Sequence, residues 1–384
     1  MGKIDDLIKE LCPDGVKYVK LGEVSDIKRG IRVIKKDLSV SGLYPVFQNS
    51  LIPLGYYDKT NCSANTTFII MAGAAGEIGY TDKPVWAADD CFYIDSKENL
   101  HNKYIYYFLL KRQHYLKSKV RKASIPRLSR EFVEKLQIPL PPLSIQQQIV
   151  EILDNFTDSI SNLQEELELR EKQMEYYREN LLSFDGEDVE YVSFGQSFHL
   201  KARIGWQGLT KQEYRNQGLY KLVTGTDFTD NHRINFSKCV YVDKERFDQD
   251  KNIQLKEDDI LITKDGTLGK VAYIDKLPCP TTLNGGVFVV RNITGELNQR
   301  FTMHFLASSK FKRWIDSNHT SGSIKHLTQK LLVKFQIPVP SLSRQQEIVD
   351  ILDTFESMIA NIKEEIELRQ KQYEYYREKL LTFD

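Results

Sequence analysis

The sequence predicts an α+β protein in which two α/β globular domains are separated by two long antiparallel coiled-coil helices, with a pseudo-two-fold internal repeat. The segment from Lys135 to Asp185 recurs from Lys334 to Asp384, with roughly two-thirds of the positions identical and no gap, which marks a duplication. Each copy follows about 130 to 150 residues of mixed sequence, the usual size of one domain. The predicted domains are residues 1–143 and 186–342, and the predicted helices are residues 144–185 and 343–384.

Apolar residues spaced three and four apart predict that each repeated segment is one helix. The stripe in the first copy begins with Ile145, Ile149 and Ile152, and neither stripe is interrupted by Gly or Pro. Each run therefore predicts a helix of roughly 40 residues. Ser144 and Ser343 follow proline-rich breaks and are the predicted N-caps. Two such stripes in one chain most simply pair with each other as an antiparallel coiled coil.

Some polar and aromatic residues of the repeat need partners. Arg170 and Arg369 occupy stripe positions where an apolar residue is expected. Because a buried charge is costly unless it is paired, each is predicted to meet a glutamate of the other helix or of a partner. Tyr176–Tyr177 and Tyr375–Tyr376 are predicted to be a mixture of coiled-coil core and partner-facing surface. A purely structural spacer is the simpler interpretation of the stripe.

The two globular domains show short β-like runs separated by Gly, Asn and Asp turns. Between similar edges their sequences diverge strongly, which suggests two related sites that recognise different targets. The predicted elements are strands Thr67–Met71 and Cys91–Ile94 and helix Asn102–Leu116 in the first domain, and strands Leu219–Val223, Val240–Val242, Asp259–Thr263 and Val287–Val290 in the second.

Composition narrows the class of protein. Lys plus Arg and Asp plus Glu both number 53, so a simple basic nucleic-acid coat protein is disfavoured. No stretch approaches the ~20 apolar residues of a membrane span. The five cysteines are scattered without CxxC spacing, which predicts reduced thiols in the cytoplasm, with neither a disulfide framework nor a zinc site.

The search for catalytic motifs gives little. Lys264 stands where the phosphate loop GxxxxGK[ST] needs its first glycine, and Val271 replaces the Ser/Thr. The glycines of residues 72–79 lack the GxGxxG order and predict a tight turn. Asp258, Asp259 and Lys264 could imitate a nuclease set, but such acids are more often solvated turn residues. The seven histidines have no metal-ligand spacing. We therefore predict neither catalytic nor metal-binding residues.

A basic run predicts DNA binding. Residues 111–130 contain eight Lys/Arg and no acidic residue, as expected of a phosphate-contacting patch; a solvated helix face is the alternative. The predicted contacts are Lys119, Arg121, Lys122, Arg127 and Arg130 here and Lys312, Arg313, His319, Lys325 and His326 in the matching stretch, with Lys28, Arg29, Arg32, Gln48, Asn49, Lys201, Arg203, Thr224 and Thr226 as donors of the kind that read base edges.

Three motifs carry a family resemblance over essentially the whole chain. They are the opening IKELCPDGVKYVKLGEV, both QIPxPxLxxQQxIVxILDxF segments and both ELRxKQxEYYRExLLxFD endings. With them, the chain resembles the specificity (S) subunit of a Type I restriction–modification system. The resemblance implies two target-recognition domains that each read one half of a bipartite, gapped sequence in double-stranded DNA. It implies that the helices set the gap and dock two methyltransferase (modification) subunits.

The resemblance also assigns the chemistry to partners. S-adenosylmethionine is implied for the adenine-methylating subunits, and ATP and Mg for the restriction (translocase/nuclease) subunits, with no cofactor on this chain and no membrane. It implies that the runs beginning at Ser124 and Ser323 are DNA-facing turns. Because Pro126 lacks a backbone donor, Arg127 would contact DNA through its side chain.

Two alternatives stay open. A coiled-coil scaffold that tethers two protein-binding globules predicts no salt-dependent DNA binding. A stand-alone nuclease predicts metal-dependent cleavage by the purified chain.

Overall fold

The two halves of the chain repeat one order of strands, with a short helix after the first strand and a long helix after the last. The computed structural model describes residues 2–204, 208–318 and 326–383, with side chains from Leu7 onward. The chain divides into two compact units: unit 1 is Met1–Glu165 with Glu364–Asp384, and unit 2 is Glu166–Lys363. Each unit holds one globular domain together with part of each repeated helix.

Besides its parts of the two long helices, unit 1 contains in its described residues four short or medium α-helices and nine strands. They are α1 (Gly2–Leu11), β1 (Tyr18–Lys20), α2 (Leu21–Val24), β2 (Ser25–Arg29), β3 (Tyr44–Phe47), β4 (Gly55–Tyr57), β5 (Thr66–Ile70), β6 (Ile78–Thr81), β7 (Trp86–Ala87), β8 (Cys91–Ser96), α3 (Asn102–Ser118), α4 (Arg130–Glu134) and β9 (Gln137–Pro139). The strands form an antiparallel sheet in the order β2-β8-β5-β6, a sheet β4-β3-β7 in which β3 and β7 are parallel, and the pair β1-β9.

Unit 2 repeats this arrangement. Its elements are β10 (Glu190–Ser193), α6 (Phe194–Ser197), β11 (Phe198–Lys201), β12 (Tyr220–Val223), β13 (Val240–Val242), α7 (Lys244–Asp248), β14 (Ile260–Thr263), β15 (Val271–Tyr273), β16 (Thr281–Leu283), β17 (Val287–Asn292), α8 (Gln299–Leu306), α9 (Ser309–Ser317), α10 (Gln329–Leu332) and β18 (Gln336–Val339). The sheets are β11-β17-β14-β15, β13-β12-β16 and β10-β18. Each strand order matches its counterpart in unit 1, which confirms the predicted pseudo-two-fold α+β architecture.

Burial explains why these strands were visible in the sequence. All five residues of β5 and all four of β14 are buried, and buried runs rich in Thr, Ile and Phe favour strands. The predicted strands and the predicted helix are all present, within two residues at either end. The strands that the sequence analysis missed include β2, β3 and β4, whose residues are mostly half-buried or exposed.

The two repeated helices are α5 (Leu143–Leu181) and α11 (Leu342–Leu380), each of 39 residues. In unit 1, Phe156 stacks on Tyr376 with ring centroids 5.2 Å apart. In unit 2, Tyr177 stacks on Phe355 at the same centroid distance, 5.2 Å. An early residue of one helix therefore contacts a late residue of the other, which confirms the antiparallel pairing.

The tyrosines of the repeat divide as predicted. Tyr177 and Tyr376 pack in the helix pair, whereas the side chains of Tyr176 and Tyr375 are 66% and 60% exposed. One tyrosine of each pair is therefore available to a partner.

The N-cap prediction is wrong, and the two arginines of the stripe pair within their own helices rather than with the other helix. Ser144 and Ser343 lie inside the first turn, because each helix begins one residue earlier; the Ser341 hydroxyl accepts from the Arg344 amide at 3.3 Å instead. Arg170 and Arg369 pair with Glu166 and Glu365 of their own helices, at 3.5 and 2.7 Å. Both arginines remain partly exposed, so the stripe tolerates them without a partner on the other helix.

A buried glutamine fastens each long helix to its domain. Gln146 is fully buried; its Oε1 accepts from the His101 amide at 2.9 Å, and its Nε2 donates to the carbonyls of Asn99 and Pro141 at 3.0 and 2.8 Å. Gln345 makes the same three bonds with Asn298, Glu296 and Pro340. The side-chain amide of each glutamine thus pairs with three backbone groups, one amide and two carbonyls, and is satisfied as burial requires.

The structure records no disulfide among the five cysteines. Among the described residues, no helix combines the length and the apolar character that a membrane span needs.

Candidate DNA interface

A glycine turn follows β5 in unit 1. Gly73 and Gly76 have φ of +84° and +87°, in the left-handed region that glycine occupies without strain. A Cβ at Gly73 would lie 2.8 Å from the Cβ of Asn49. Glycine at this position therefore allows the β3–β4 connection to approach, and the Ala74 amide donates to the Asn49 carbonyl at 2.9 Å.

A second turn, residues 121–127, is held against the first. The Gly73 amide donates to the Pro126 carbonyl at 3.1 Å, and Arg121 and Arg127 exchange backbone hydrogen bonds of 2.8 and 3.3 Å. The Leu128 amide donates to the Met71 carbonyl at 2.9 Å. The backbone of Arg127 is thus occupied within the protein, and its exposed side chain is the part that can reach a ligand.

The turn 121–127 carries cations without counter-charges. Lys119, Arg121, Lys122, Ser124, Arg127 and Arg130 are all exposed. Arg130 is paired with Glu134 at 2.6 Å, and the Lys119 ammonium lies 5.1 Å from the Tyr115 ring centroid. Arg121, Lys122 and Arg127 form no ion pair with any described residue. These three are therefore the cations of the basic run whose charge is available to DNA.

The start of the basic run has a different role. The side chain of Lys111 is only 5% exposed and pairs with Glu378 at 3.1 Å. Lys117 pairs with Glu77 at 2.7 Å. Lys111 therefore fastens α3 to the end of α11. The prediction that the whole run forms one phosphate-contacting patch is wrong for its first half and stays a prediction for its second half.

The other predicted donors of unit 1 differ in the partners that they already have. Arg29 Nε donates to the Asp89 carbonyl at 2.9 Å, and Gln48 Nε2 lies 3.4 Å from the Asp89 carboxylate. Lys28 is paired with Asp95 at 2.5 Å, and this hydrogen bond raises the pKa of Lys28. Arg32 is exposed. The structure thus brings Arg29 and Gln48 together around one acid, while Lys28 already has an anionic partner.

Unit 2 builds the same frame with different side chains. Gly266 and Gly269 have φ of +72° and +73°, and the Leu327 amide donates to the Lys264 carbonyl at 3.0 Å. His326 Nδ1 lies 2.5 Å from Asp265 Oδ1. Asp265 and His326 occupy the bridge that Ala72 and Arg127 form in unit 1. The two units therefore present different chemistry at one structural position.

The remaining predicted residues of unit 2 divide into three groups. Arg203 is only 2% exposed, and its guanidinium donates to Leu283 O at 3.0 Å and Gln249 Oε1 at 2.9 Å; the prediction that it reads bases is therefore corrected to a structural role. Lys201 and Thr224 are half-buried, whereas Thr226, Lys312 and Arg313 are exposed. His319, Ser323 and Lys325 lie outside the described residues.

Unit 2 also contains a buried polar cluster beside a cavity of about 500 Å³. His304 is fully buried and lies 2.7 Å from Asp353, which also pairs with Arg300 at 2.8 Å. Burial lowers the pKa of His304, despite the opposing effect of Asp353, so the neutral ring donates from Nε2. An imidazole without solvent access cannot reach a substrate, which makes this cluster a tie between α8 and α11. No group of His, Cys, Asp and Glu suited to a metal ion occurs among the described residues.

Sequence reasoning missed the paired glycine turns. The sequence alone predicts an isolated tight turn at Gly73 and Gly76, and at Gly269 it shows only a failed phosphate loop. Both GxxG runs follow a buried strand, and both precede a short strand. Aligning the two domains on these strands would have found the turns, together with Asp265.

Comparisons with known proteins agree with this duplicated frame. The family described as Type I restriction modification DNA specificity domain matches residues 13–170 and 187–368. A Haemophilus influenzae protein that carries the name of a type I restriction enzyme specificity subunit is 31% identical, over 96% of each chain. The type I restriction enzyme EcoR124I/EcoR124II specificity subunit of Escherichia coli is 32% identical, over 73% of this chain and 70% of its own.

A solved structure shares the fold. The crystal structure of the type I restriction–modification S subunit from M. genitalium superposes with a TM-score of 0.67 at 18% identity, over 96% of each chain. The two matches of the family, one in each half of the chain, and the full-length relative establish that this protein belongs to the Type I restriction–modification specificity subunits.

Proposed function

We propose that this chain is the DNA sequence-specificity subunit of a Type I restriction–modification enzyme, in which each unit reads one half of a bipartite, gapped target. One observation carries the proposal. Two units with the same frame hold Ala72 with Arg127 in one case and Asp265 with His326 in the other. A guanidinium favours guanine acceptors, whereas a carboxylate accepts from cytosine. Two units that share one backbone arrangement but carry different side chains at the same position suit a target whose two halves differ in sequence.

Mapping of modified bases tests this proposal. DNA from cells that express the chain with its neighbouring methyltransferase is compared with DNA from cells that lack only this chain. The proposal predicts a two-part motif with a fixed gap that carries methylated adenine and vanishes without the chain. Methylation that persists unchanged in its absence would favour the scaffold interpretation.

The long helices are proposed to dock two methyltransferase subunits. Leu169 and Tyr176 of unit 2 are 65% and 66% exposed, and their equivalents in unit 1, Leu368 and Tyr375, are 47% and 60% exposed. Exposed leucine and tyrosine on an otherwise polar helix are typical of partner contacts. Because the same pair recurs in both units, two copies of one partner fit better than two different partners.

Stoichiometry tests the docking. Replacement of Leu169 and Tyr176 with serine is expected to reduce the complex from two methyltransferase copies to one in native mass spectrometry. Leu219, which is 75% exposed on the domain of unit 2, provides the control, and Leu219→Ser is expected to retain both copies. Loss of a copy in the control alone would contradict the assignment.

We further propose that the chemistry resides in the partners. S-adenosylmethionine would bind the methyltransferase subunits, and ATP and Mg would bind the restriction subunits. The purified chain is then expected to neither methylate nor cleave DNA when these cofactors are supplied. Metal-dependent cleavage by the chain alone would overturn this division and favour a nuclease.

A further inference from the structure

The connection between β3 and β4 in unit 1 ends in an apolar tip, residues 51–54. Leu51, Ile52 and Leu54 are 39%, 78% and 38% exposed, and Pro53 lies between them. Adjacent exposed aliphatic groups on a loop usually mark a place of contact.

The tip has no side-chain donor or acceptor for hydrogen bonding. The neighbouring Ser50 hydroxyl donates to the Ile52 carbonyl at 3.1 Å and accepts from the Ile52 amide at 3.3 Å. Pro53 has no N–H group. Local hydrogen bonds therefore fix the conformation of the tip, and its side chains can contribute only van der Waals contact.

The tip is attached to the cationic part of unit 1. Asn49, two residues before the tip, accepts from the Ala74 amide, and Gly73 of the same turn donates to Pro126 of turn 121–127. That turn carries Arg121, Lys122 and Arg127 without ion-pair partners among the described residues. A surface that combines aliphatic groups with unneutralised cations complements DNA better than it complements an apolar protein face.

Only one apolar group distinguishes a base at a groove edge of DNA: the C5 methyl group of thymine in the major groove. We infer that the tip 51–54 reads a thymine in the half-site bound by unit 1, through contact of Ile52 with this methyl group. The inference rests on the proposed function and specifies it.

The equivalent connection of unit 2, residues 224–239, is built differently. In the β12–β13 connection of unit 2, the aliphatic and aromatic residues Ile234 and Phe228 are buried at 8% and 7% exposure. Arg233 of that connection pairs with Glu356 of α11 at 3.0 Å. The unit 2 connection is therefore fastened to the long helix and offers no comparable tip.

Uracil substitution tests the inference in the assembled complex with its methyltransferase subunits. Each thymine of the gapped target found by base mapping is replaced in turn by uracil, which lacks only the methyl group. For one thymine of the unit 1 half-site, the wild-type complex is expected to lose about 5- to 10-fold in affinity. The Ile52→Ser complex is expected to bind the thymine duplex that much more weakly and to show no further loss with uracil.

A second aliphatic residue provides the control. Val40 is 97% exposed and follows Ser39, which pairs with Tyr56 of β4 rather than with the tip. Val40→Ser is expected to bind both duplexes as the wild type does.

Several results would overturn the inference. Equal wild-type affinity for every uracil duplex excludes methyl reading, as does an Ile52→Ser complex that stays sensitive to uracil. Fluorescence from 2-aminopurine that shows unstacking without any methyl dependence would identify a wedge instead. Loss of a methyltransferase subunit from the Ile52→Ser complex would place the tip in a protein interface. Absence of any binding by the wild-type complex would overturn the proposed function with it, whereas tight binding without a uracil effect overturns the inference alone.

Discussion

Replacement of Arg121 and Lys122 together with alanine is expected to weaken DNA binding and to flatten its dependence on salt. Both side chains are exposed, and neither has an ion-pair partner among the described residues. Each phosphate contact contributes about 0.9 to the slope of log affinity against log salt concentration. Loss of both contacts should reduce the slope by about 1.8.

The slope fixes the expected change in affinity. Between 50 and 200 mM salt, each phosphate contact accounts for about a 3.5-fold loss of affinity, so two account for about 12-fold. The wild-type complex should therefore lose about 12-fold more affinity across this range than the double variant. Fluorescence anisotropy titrations of the assembled complex at several salt concentrations measure both slopes.

A charge-matched control separates contact from net charge. Lys20 and Lys135 are also exposed, but each already has an anionic partner: Lys20 is paired with Glu23 at 3.9 Å, and Lys135 is paired with Glu131. The variant Lys20→Ala with Lys135→Ala removes the same two charges and should keep the wild-type slope. An unchanged slope in the Arg121→Ala, Lys122→Ala variant would show that these two side chains do not contact phosphate.

Three further predictions follow from the long helices and the buried groups. Four residues inserted into α5 between Glu165 and Glu166 add about 6 Å of helix and should change the gap of the methylated motif by one or two base pairs, at about 3.4 Å per pair. Altered half-sites with an unchanged gap would contradict the proposal that the helices set the gap. Burial lowers the pKa of His232 to about 4. Between pH ~6.5 and pH ~4 the unfolded state therefore binds a proton that the native state does not bind. As the pH is lowered through this range, the free energy of unfolding should decrease by at most about 1.4 kcal/mol per pH unit. His232→Asn retains a side chain that tolerates the φ of +56° and should lose that slope in urea titrations, which a slope equal to the wild type would contradict. Gln146→Leu leaves three buried polar groups without hydrogen-bond partners and should lower the free energy of unfolding by roughly 3 kcal/mol, whereas Gln147→Leu, at an exposed position, should change it little. Equal effects of the two substitutions would contradict the stabilising role of the Gln146 hydrogen bonds.

The architecture could be predicted because it rests on features that leave periodic patterns. Stripes of apolar residues spaced three and four apart marked α5 and α11, and buried runs marked β5 and β14. The duplication predicted that α5 pairs with α11, because two similar apolar stripes in one chain can bury each other. Polar or half-exposed strands such as β3 gave no such pattern, since their stability comes from neighbours distant in the sequence.

The individual site residues could be predicted only in part. Side-chain type selected Arg121 and Arg127, which are exposed at a turn and stay predicted contacts, but it also selected Arg203 and Lys111, whose side chains are buried. Their burial depends on contacts far along the chain: Leu283 accepts from Arg203, and Glu378 pairs with Lys111. A basic residue and its distant partner are not linked by any local pattern, so their structural role appears only in the folded chain.

We propose that each unit reads its half of the target independently of the other unit. The most direct test replaces residues 190–339 with the corresponding domain of the Escherichia coli relative and maps methylated adenines in cells that express the hybrid with the methyltransferase. If the units read independently, the hybrid is expected to yield a gapped motif that retains one half of the original target and acquires one half of the relative's target. A motif changed in both halves would contradict it.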